Sequence, residues 1–229
     1  MFPSVGEAMV RVLERQGVRV DFPEGQTCCG QPAFNSGYWN DARAAARTVL
    51  DAFDDSDFVI APSGSCVYMF HHYRELFRDD PKRLEQAERL QAKTYEFSQF
   101  LVNVLGVRDV GAFFPHKVTY HPSCHGSRLL GVRDEPYELL SAVRGLTFVP
   151  LAFAEDCCGF GGTFAVKMPD ISGAMAAEKA EHVLETEAEV LTGLDMGCLM
   201  NIGGRLRRQG ANVRVMHLAE LLAEGVERA

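Results

Sequence analysis

No apolar run in the sequence approaches the ~20 residues needed to span a bilayer. The opening stretch MFPSVGEAMVRVLERQG carries Glu7, Arg11, Glu14 and Arg15 where a secretory leader would be apolar. Basic charge is scarce as well. The formal net charge is −8, and no basic stripe is present to grip a nucleic-acid backbone. The one basic cluster, Arg205-Leu206-Arg207-Arg208, reads as the solvated face of a helix. No Ser/His/Asp constellation or paired-carboxylate pattern can be assembled. The glycine run Gly159-Phe160-Gly161-Gly162 misses the dinucleotide fingerprint, because Phe164 stands where a small residue is required. The expectation is a cytoplasmic chain with neither a membrane span nor a nucleic-acid partner.

Two cysteine patterns are also missing: the Cys-x2-4-Cys knuckle of zinc sites and the closely spaced run of ferredoxins. Seven cysteines are an odd number for a disulfide framework. With 229 residues, 47% of them hydrophobic, the chain can bury a core without covalent staples. What the sequence does contain is Cys-Cys-Gly twice, at Cys28-Cys29-Gly30 and at Cys157-Cys158-Gly159. A further cysteine follows each copy at a similar interval, Cys66 and Cys198. Cys124 precedes the second copy. Packing alone does not call for adjacent, periodic thiols, whereas metal ligation and redox chemistry do.

The hydrophobic pattern alternates strands with helices. Helical spacing covers residues 5–16, and Val18 to Phe22 alternates as a strand leading into the first Cys-Cys-Gly. A helix over 41–53 precedes the apolar strand 57–61, which runs into Cys66 and a helix ending near Phe77. Residues 81–105 read as one or two helices. In the second part, strand 118–120 ends at Cys124, and helix 135–144 leads to strand 146–151 before the second Cys-Cys-Gly. Helix 171–185, strand 189–192 ahead of Cys198, and strand 213–216 before a last helix complete the order. This predicts an α/β fold of two pseudo-symmetric halves, 1–110 and 111–229, each a mainly parallel sheet flanked by helices. Every cysteine then follows a strand. In a parallel sheet such positions gather at the carboxyl edge, where ligands bind, and a helix N-terminus beside a thiol favours the thiolate.

Adjacent cysteines need a bent backbone to serve one site, and Gly30 and Gly159 permit the bend. Several irons give each thiolate its own metal, which one small ion does poorly. An iron–sulfur cluster is the leading reading; zinc and thiol–disulfide chemistry are the alternatives. His121 and His125 flank Cys124, but a loop histidine is more often solvated or hydrogen-bonded than a ligand, so neither is assigned to the metal. The glycine run is read as flexible backbone around a cluster, with its amides aimed at sulfide.

The segments TCCGQPAFNSGY, APSGSC, YHPSC, DCCGFGGTF and CLMNIGGRL, spread over almost the whole chain, resemble the CCG cysteine-rich family. That family includes the B subunit of heterodisulfide reductase and the iron–sulfur subunits of glycolate and glycerol-3-phosphate oxidation. The likeness is greatest to its iron–sulfur subunits of L-lactate utilisation. The resemblance implies an electron-transfer subunit of an oxidoreductase complex that does not turn over substrate alone. Its implied partners are a second iron–sulfur protein and a third small protein, with a flavoprotein or quinone as acceptor, and the product is pyruvate. A thiol–disulfide reductase and a glycolate-oxidase subunit remain the alternatives.

Two departures matter. The family ends its motif with Cys-x-x-Cys, but here the first position of that pair is Ser63 in one half and Asp195 in the other. The second half keeps Cys124, Cys157, Cys158 and Cys198, enough for one [4Fe–4S] cluster, with Asp195 as a further oxygen donor. The first half offers only Cys28, Cys29 and Cys66. The interval that separates Cys124 from Cys157 would place a leading cysteine before Met1. The favoured expectation is therefore that an upstream strand and cysteine are missing; the alternative is a first half that has become a structural domain needing no cluster. A second cluster would form only if they were restored, and a strand position beside 18–22 or 57–61 would otherwise stand vacant.

Overall fold

The computed structural model describes residues 2–225. The first half runs α1 (Pro3–Arg15), α2 (Gln31–Asn35), α3 (Trp39–Ala52), β1 (Val59–Ala61), α4 (Gly64–Leu76), α5 (Pro81–Lys93), β2 (Thr94–Glu96) and α6 (Phe97–Gln99), with a π-helical continuation over Phe100–Val104. The second half begins with β3 (Lys117–His121) and a π-helical segment at His125–Leu130, followed by α7 (Glu135–Ala142) and β4 (Thr147–Phe148). It continues through α8 (Phe164–Lys167), α9 (Pro169–Glu185), β5 (Val190–Gly193), α10 (Met196–Arg208), β6 (Arg214–His217) and α11 (Leu218–Leu222). No helix among the described residues is long and apolar enough to cross a membrane.

Both sheets are parallel. One has two strands, β1-β2, and the other has four in the order β4-β3-β5-β6. The same unit recurs in each. A strand (β1 or β5) runs to a polar N-cap (Ser63 or Asp195) and opens a helix carrying a cysteine (α4 or α10). The chain then returns through a parallel neighbour (β2 or β6) that ends on a buried N-cap, Glu96 or His217. These caps satisfy amides that a helix start leaves without partners. His217 Nδ1 accepts from Ala219 N at 3.0 Å, and a carboxylate oxygen of Glu96 accepts from Ser98 N at 2.8 Å.

Three local expectations are corrected. Residues 18–22 form no strand, and 94–96, expected to be helical, form β2. Backbone groups commit to a strand only where a ladder partner exists. In the second half β4 pairs with β3, whereas among the described residues β1 pairs with β2 alone, so the 18–22 segment has no neighbouring strand. Val18 and Val20 pack on the core without joining a sheet. Strand 146–151 also shortens, to the two residues Thr147 and Phe148.

The halves share their main core. The buried face of α1 (Val5, Ala8, Met9, Val12, Leu13) joins Phe97, Phe100 and Leu101 of the first half with Val118, Tyr120, Leu139, Leu140, Leu218, Leu221 and Leu222 of the second. α1 packs on α11, and α4 on the π-helical segment His125–Leu130. At the latter crossing a Cβ on Gly64 would lie 2.8 Å from the Gly126 backbone, so only glycine permits the approach. Two smaller clusters sit beside the cysteines, one holding Cys29 under α3 and α4, the other holding Cys158 and Cys198 under α9 and α10.

Candidate metal centre

The carboxyl ends of β3, β4 and β5 deliver the second set of thiols. Cys124 follows β3 by three residues, and Cys198 is the third residue of α10, just beyond β5. Cys157 and Cys158 lie in the loop after β4, between Phe153 (φ 48°) and Gly159 (φ 78°). A Cβ at Gly159 would meet Ser172 O at 2.7 Å, so the turn requires glycine for space as well as for its positive φ.

The four thiols form a contiguous string. Cys124 lies against Cys157, Cys157 against Cys158, and the Cys158 and Cys198 sulfurs are 2.9 Å apart. All seven cysteines are free thiols. Hydrogen bonds from Cys124 and then Cys158 hold Cys157 far below the ordinary thiol range. Cys158 is pushed up by its bonds to Cys157 and Cys198 and by burial. The Gly159 amide donates to the Cys157 sulfur at 3.4 Å. Asn201 Nδ2 donates to Cys158 O at 2.8 Å and fixes the loop against α10. Lys179, almost fully buried, donates to Phe153 O and to Ala154 O and clamps the loop from the α9 side.

His121 departs from the solvated or hydrogen-bonded loop histidine that was expected. It is the last residue of β3 and only 2% exposed, and its Nδ1 has no hydrogen-bond partner. A ring nitrogen of His121 and the Cys158 and Cys198 sulfurs lie within 4.8 Å of one another, all three residues buried. Burial first, and then the charge of Lys179, hold its imidazole down to about 3. Its place at the end of a central parallel strand, buried on both faces from Val118 onward, was the signal that could have placed it inside. His125 behaves as expected, its ring between Cys124 Sγ (3.6 Å) and Gln31 Nε2 (3.4 Å).

The first set is smaller. Cys29 Sγ lies 3.6 Å from Cys66 Sγ, Cys29 is buried, and Cys28 beside it is exposed. The Cys29 thiol pulls Cys28 down to about 6. Tyr73 OH donates to Cys29 O at 2.8 Å, doing for this loop what Asn201 does for the other. Neither Tyr73 nor Asn201 was legible beforehand, because each lies one or two helical turns past its cysteine with no motif to mark it. Tyr73→Phe removes this buried bond and leaves the Cys29 carbonyl short of a donor. The expected loss is about 1–2 kcal/mol in chemical denaturation, and an unchanged midpoint would show that the loop is held by other contacts.

Ser63 and Asp195, which stand at the family's cysteine positions, meet each other. Ser63 Oγ donates to Asp195 Oδ2 at 3.0 Å, and Ser65 N reaches the same oxygen at 3.3 Å. Asp195 Oδ1 accepts from Gly197 N at 3.1 Å, and Ser63 Oγ accepts from Cys66 N at 3.3 Å. Each residue therefore caps its own helix while bridging to the opposite half. Further bridges are His217 Nε2 to Pro62 O at 3.0 Å and Ser36 Oγ to Thr163 Oγ1 at 3.1 Å. The two cysteine sets thus face one junction between the halves.

Four free thiols at one sheet edge, Cys158 and Cys198 buried and Cys124 and Cys157 half-buried, with an amide aimed at a thiol sulfur, an orphaned imidazole and an apolar surround, are a donor set suited to iron–sulfur ligation. Similar proteins carry the same architecture of sequence nearly end to end. Lactate utilization protein A of Bacillus subtilis (strain 168) is 59% identical over 219 residues, 96% of this chain and 92% of that protein. The Geobacillus thermodenitrificans (strain NG80-2) protein of the same name is 57% identical over 221 residues, 96% and 92% of the two chains. Lactate utilization protein A 2 of Bacillus cereus (strain AH820) is 53% identical over 228 residues, 99% and 94%. The CCG cysteine-rich domain matches residues 1–71 and again 118–203, the two stretches that hold the seven cysteines. By these matches the chain belongs to the CCG cysteine-rich domain family.

Proposed function

We propose that this chain is an iron–sulfur electron-transfer subunit of an L-lactate oxidation system in the cytoplasm, with one [4Fe–4S] cluster held by Cys124, Cys157, Cys158 and Cys198. The observation that carries this reading is the string of four thiols at the carboxyl edge of the four-stranded sheet, in a chain whose relatives are named for lactate utilisation. When bound, such a cluster supplies one-electron transfer, suited to passing on the two electrons released as L-lactate becomes pyruvate, with a flavin or quinone as acceptor.

The chain's own residues do the rest. Leu151, Leu199 and Ile202 keep water from Cys158 and Cys198. Asn201 and Lys179 hold the Cys157-Cys158 loop to α10 and α9. Asp195, its carboxylate engaged by Ser63, Ser65 and Gly197, serves as cap and bridge between the halves, and the thiols serve as ligands. A second iron–sulfur protein and a third small protein complete the system. The halves 1–110 and 111–229 are proposed as its two structural repeats, with Cys28, Cys29 and Cys66 marking the position of the first site. Anaerobic reconstitution followed by iron and sulfide analysis is expected to give about four of each per chain, with an EPR signal on reduction and negligible lactate turnover by the chain alone. Colourless protein with stoichiometric zinc would refute it.

A further inference from the structure

The imidazole of His121 is the polar group in this site that the polypeptide leaves unserved. It is 2% exposed, at the end of the central strand β3, and its Nδ1 has no partner among the described residues. Leaving a buried donor or acceptor unpaired costs about 1–3 kcal/mol, and most buried polar groups avoid it. His125, one residue past Cys124, does find partners in Gln31 and the Cys124 sulfur. Two buried sulfurs lie beside His121: a ring nitrogen is within 4.8 Å of both Cys158 Sγ and Cys198 Sγ, with the buried Lys179 close enough to act on the ring by its charge. The backbone of His121 is held in register against Gly193 of β5, and the ring is enclosed rather than free to reach solvent.

We propose that His121 is a positioning residue for the electron-transfer centre, its ring N–H donating a hydrogen bond to cluster or thiolate sulfur and raising the reduction potential. This rests on the cluster assignment above. The four thiols suffice as ligands for four irons, so the imidazole is left to act as a donor. A neutral N–H pointing at sulfur stabilises the more negative, reduced state, and hydrogen bonds to sulfur are among the factors that set cluster potentials. The first site has no equivalent, since no described strand occupies the place that β3 holds in the second sheet.

The test is a redox titration of the reconstituted protein with His121→Phe, which fills the space without a donor, and His121→Gln, which keeps an N–H. His121→Phe is expected to retain about four irons per chain and to lower the midpoint potential by the equivalent of a tenfold weaker electron affinity, 59 mV for a one-electron couple. His121→Gln should recover part of the shift. Pulsed EPR of the wild-type protein with 15N-labelled histidine should show weak nitrogen coupling, a readout that needs no variant to fold. Equal potentials in all three proteins would overturn the proposal. Strong nitrogen coupling with loss of iron in His121→Phe would also overturn it, making His121 a ligand instead. A wild-type protein that takes up no iron would sink the functional reading itself, an outcome distinct from either.

Discussion

Serine in place of Cys198 is expected to leave the reconstituted protein with little iron, falling from about four per chain to well under one. The residue is buried at the third position of α10, with its sulfur 2.9 Å from Cys158 and both beside His121. No other described thiol can take its place: Cys66, its counterpart, is committed to Cys29 across the junction. A serine hydroxyl is a shorter, harder and far less acidic donor than a thiol, and it would have to be ionised within an apolar cluster made by Leu151, Leu199 and Ile202. The fold should survive, because the substitution changes neither the Asp195 cap nor the buried leucines of α10, and circular dichroism of the metal-free protein checks this. Cys28→Ser is the internal control. That thiol is exposed and belongs to the smaller set, so its loss should leave the iron count unchanged. Full iron retention in Cys198→Ser would remove the second site from the proposal.

The second large effect concerns Glu96. It ends β2 and caps α6, is fully buried, and leaves Oε1 without a partner. Burial raises its carboxyl to about 7, against an ordinary value of 4.5, although bonds from Ser98 and Gln99 oppose the rise. Folding therefore favours the neutral acid. Its contribution is fully present below pH ~4.5, declines as the unfolded chain ionises above that, and is exhausted once the pH passes the folded value near 7. The difference is about 3 kcal/mol across that window. Glu96→Gln cannot ionise, so wild-type stability minus variant stability should fall by about this amount between pH 4.5 and pH 9 in urea titrations. A difference that stays flat with pH would show that Glu96 is not held neutral.

The parts of this molecule that could be read from residue order are those fixed by local pattern. Val118 to Tyr120 and Val190 to Thr192 are short β-type runs a few residues ahead of a cysteine, and they emerged as neighbouring strands of one parallel sheet. The amphipathic spacing of Val5, Met9, Val12 and Leu13 gave α1. From strands and Cys-Cys-Gly turns alone, the meeting of Cys124, Cys157, Cys158 and Cys198 followed, because parallel topology brings their loops to one edge. What could not be read depended on partners distant in sequence. Thr94-Tyr95-Glu96 directly continues a helix and is too short for any periodicity, so only its pairing with Val59-Ile60-Ala61 makes it a strand. Val18 to Phe22 has the right alternation and lacks a neighbour. Ser63 and Asp195 looked like substituted ligand positions, and nothing in their spacing says that they bond to each other across the halves.

The packing of α1 on α11 has a consequence for the order in which the protein can be made. During synthesis Val5, Ala8, Met9, Val12 and Leu13 leave the ribosome long before Leu218, Leu221 and Leu222 exist to cover them. The same delay holds for Gly64 of α4, whose close neighbour Gly126 belongs to the other half. Contacts so far apart in the chain slow folding and leave apolar surface waiting. Nascent chains stalled before residue 218 should remain open to protease and to chaperone binding. Expression in the cold, or alongside added holdase, should improve the yield of this protein more than any change to its cysteines.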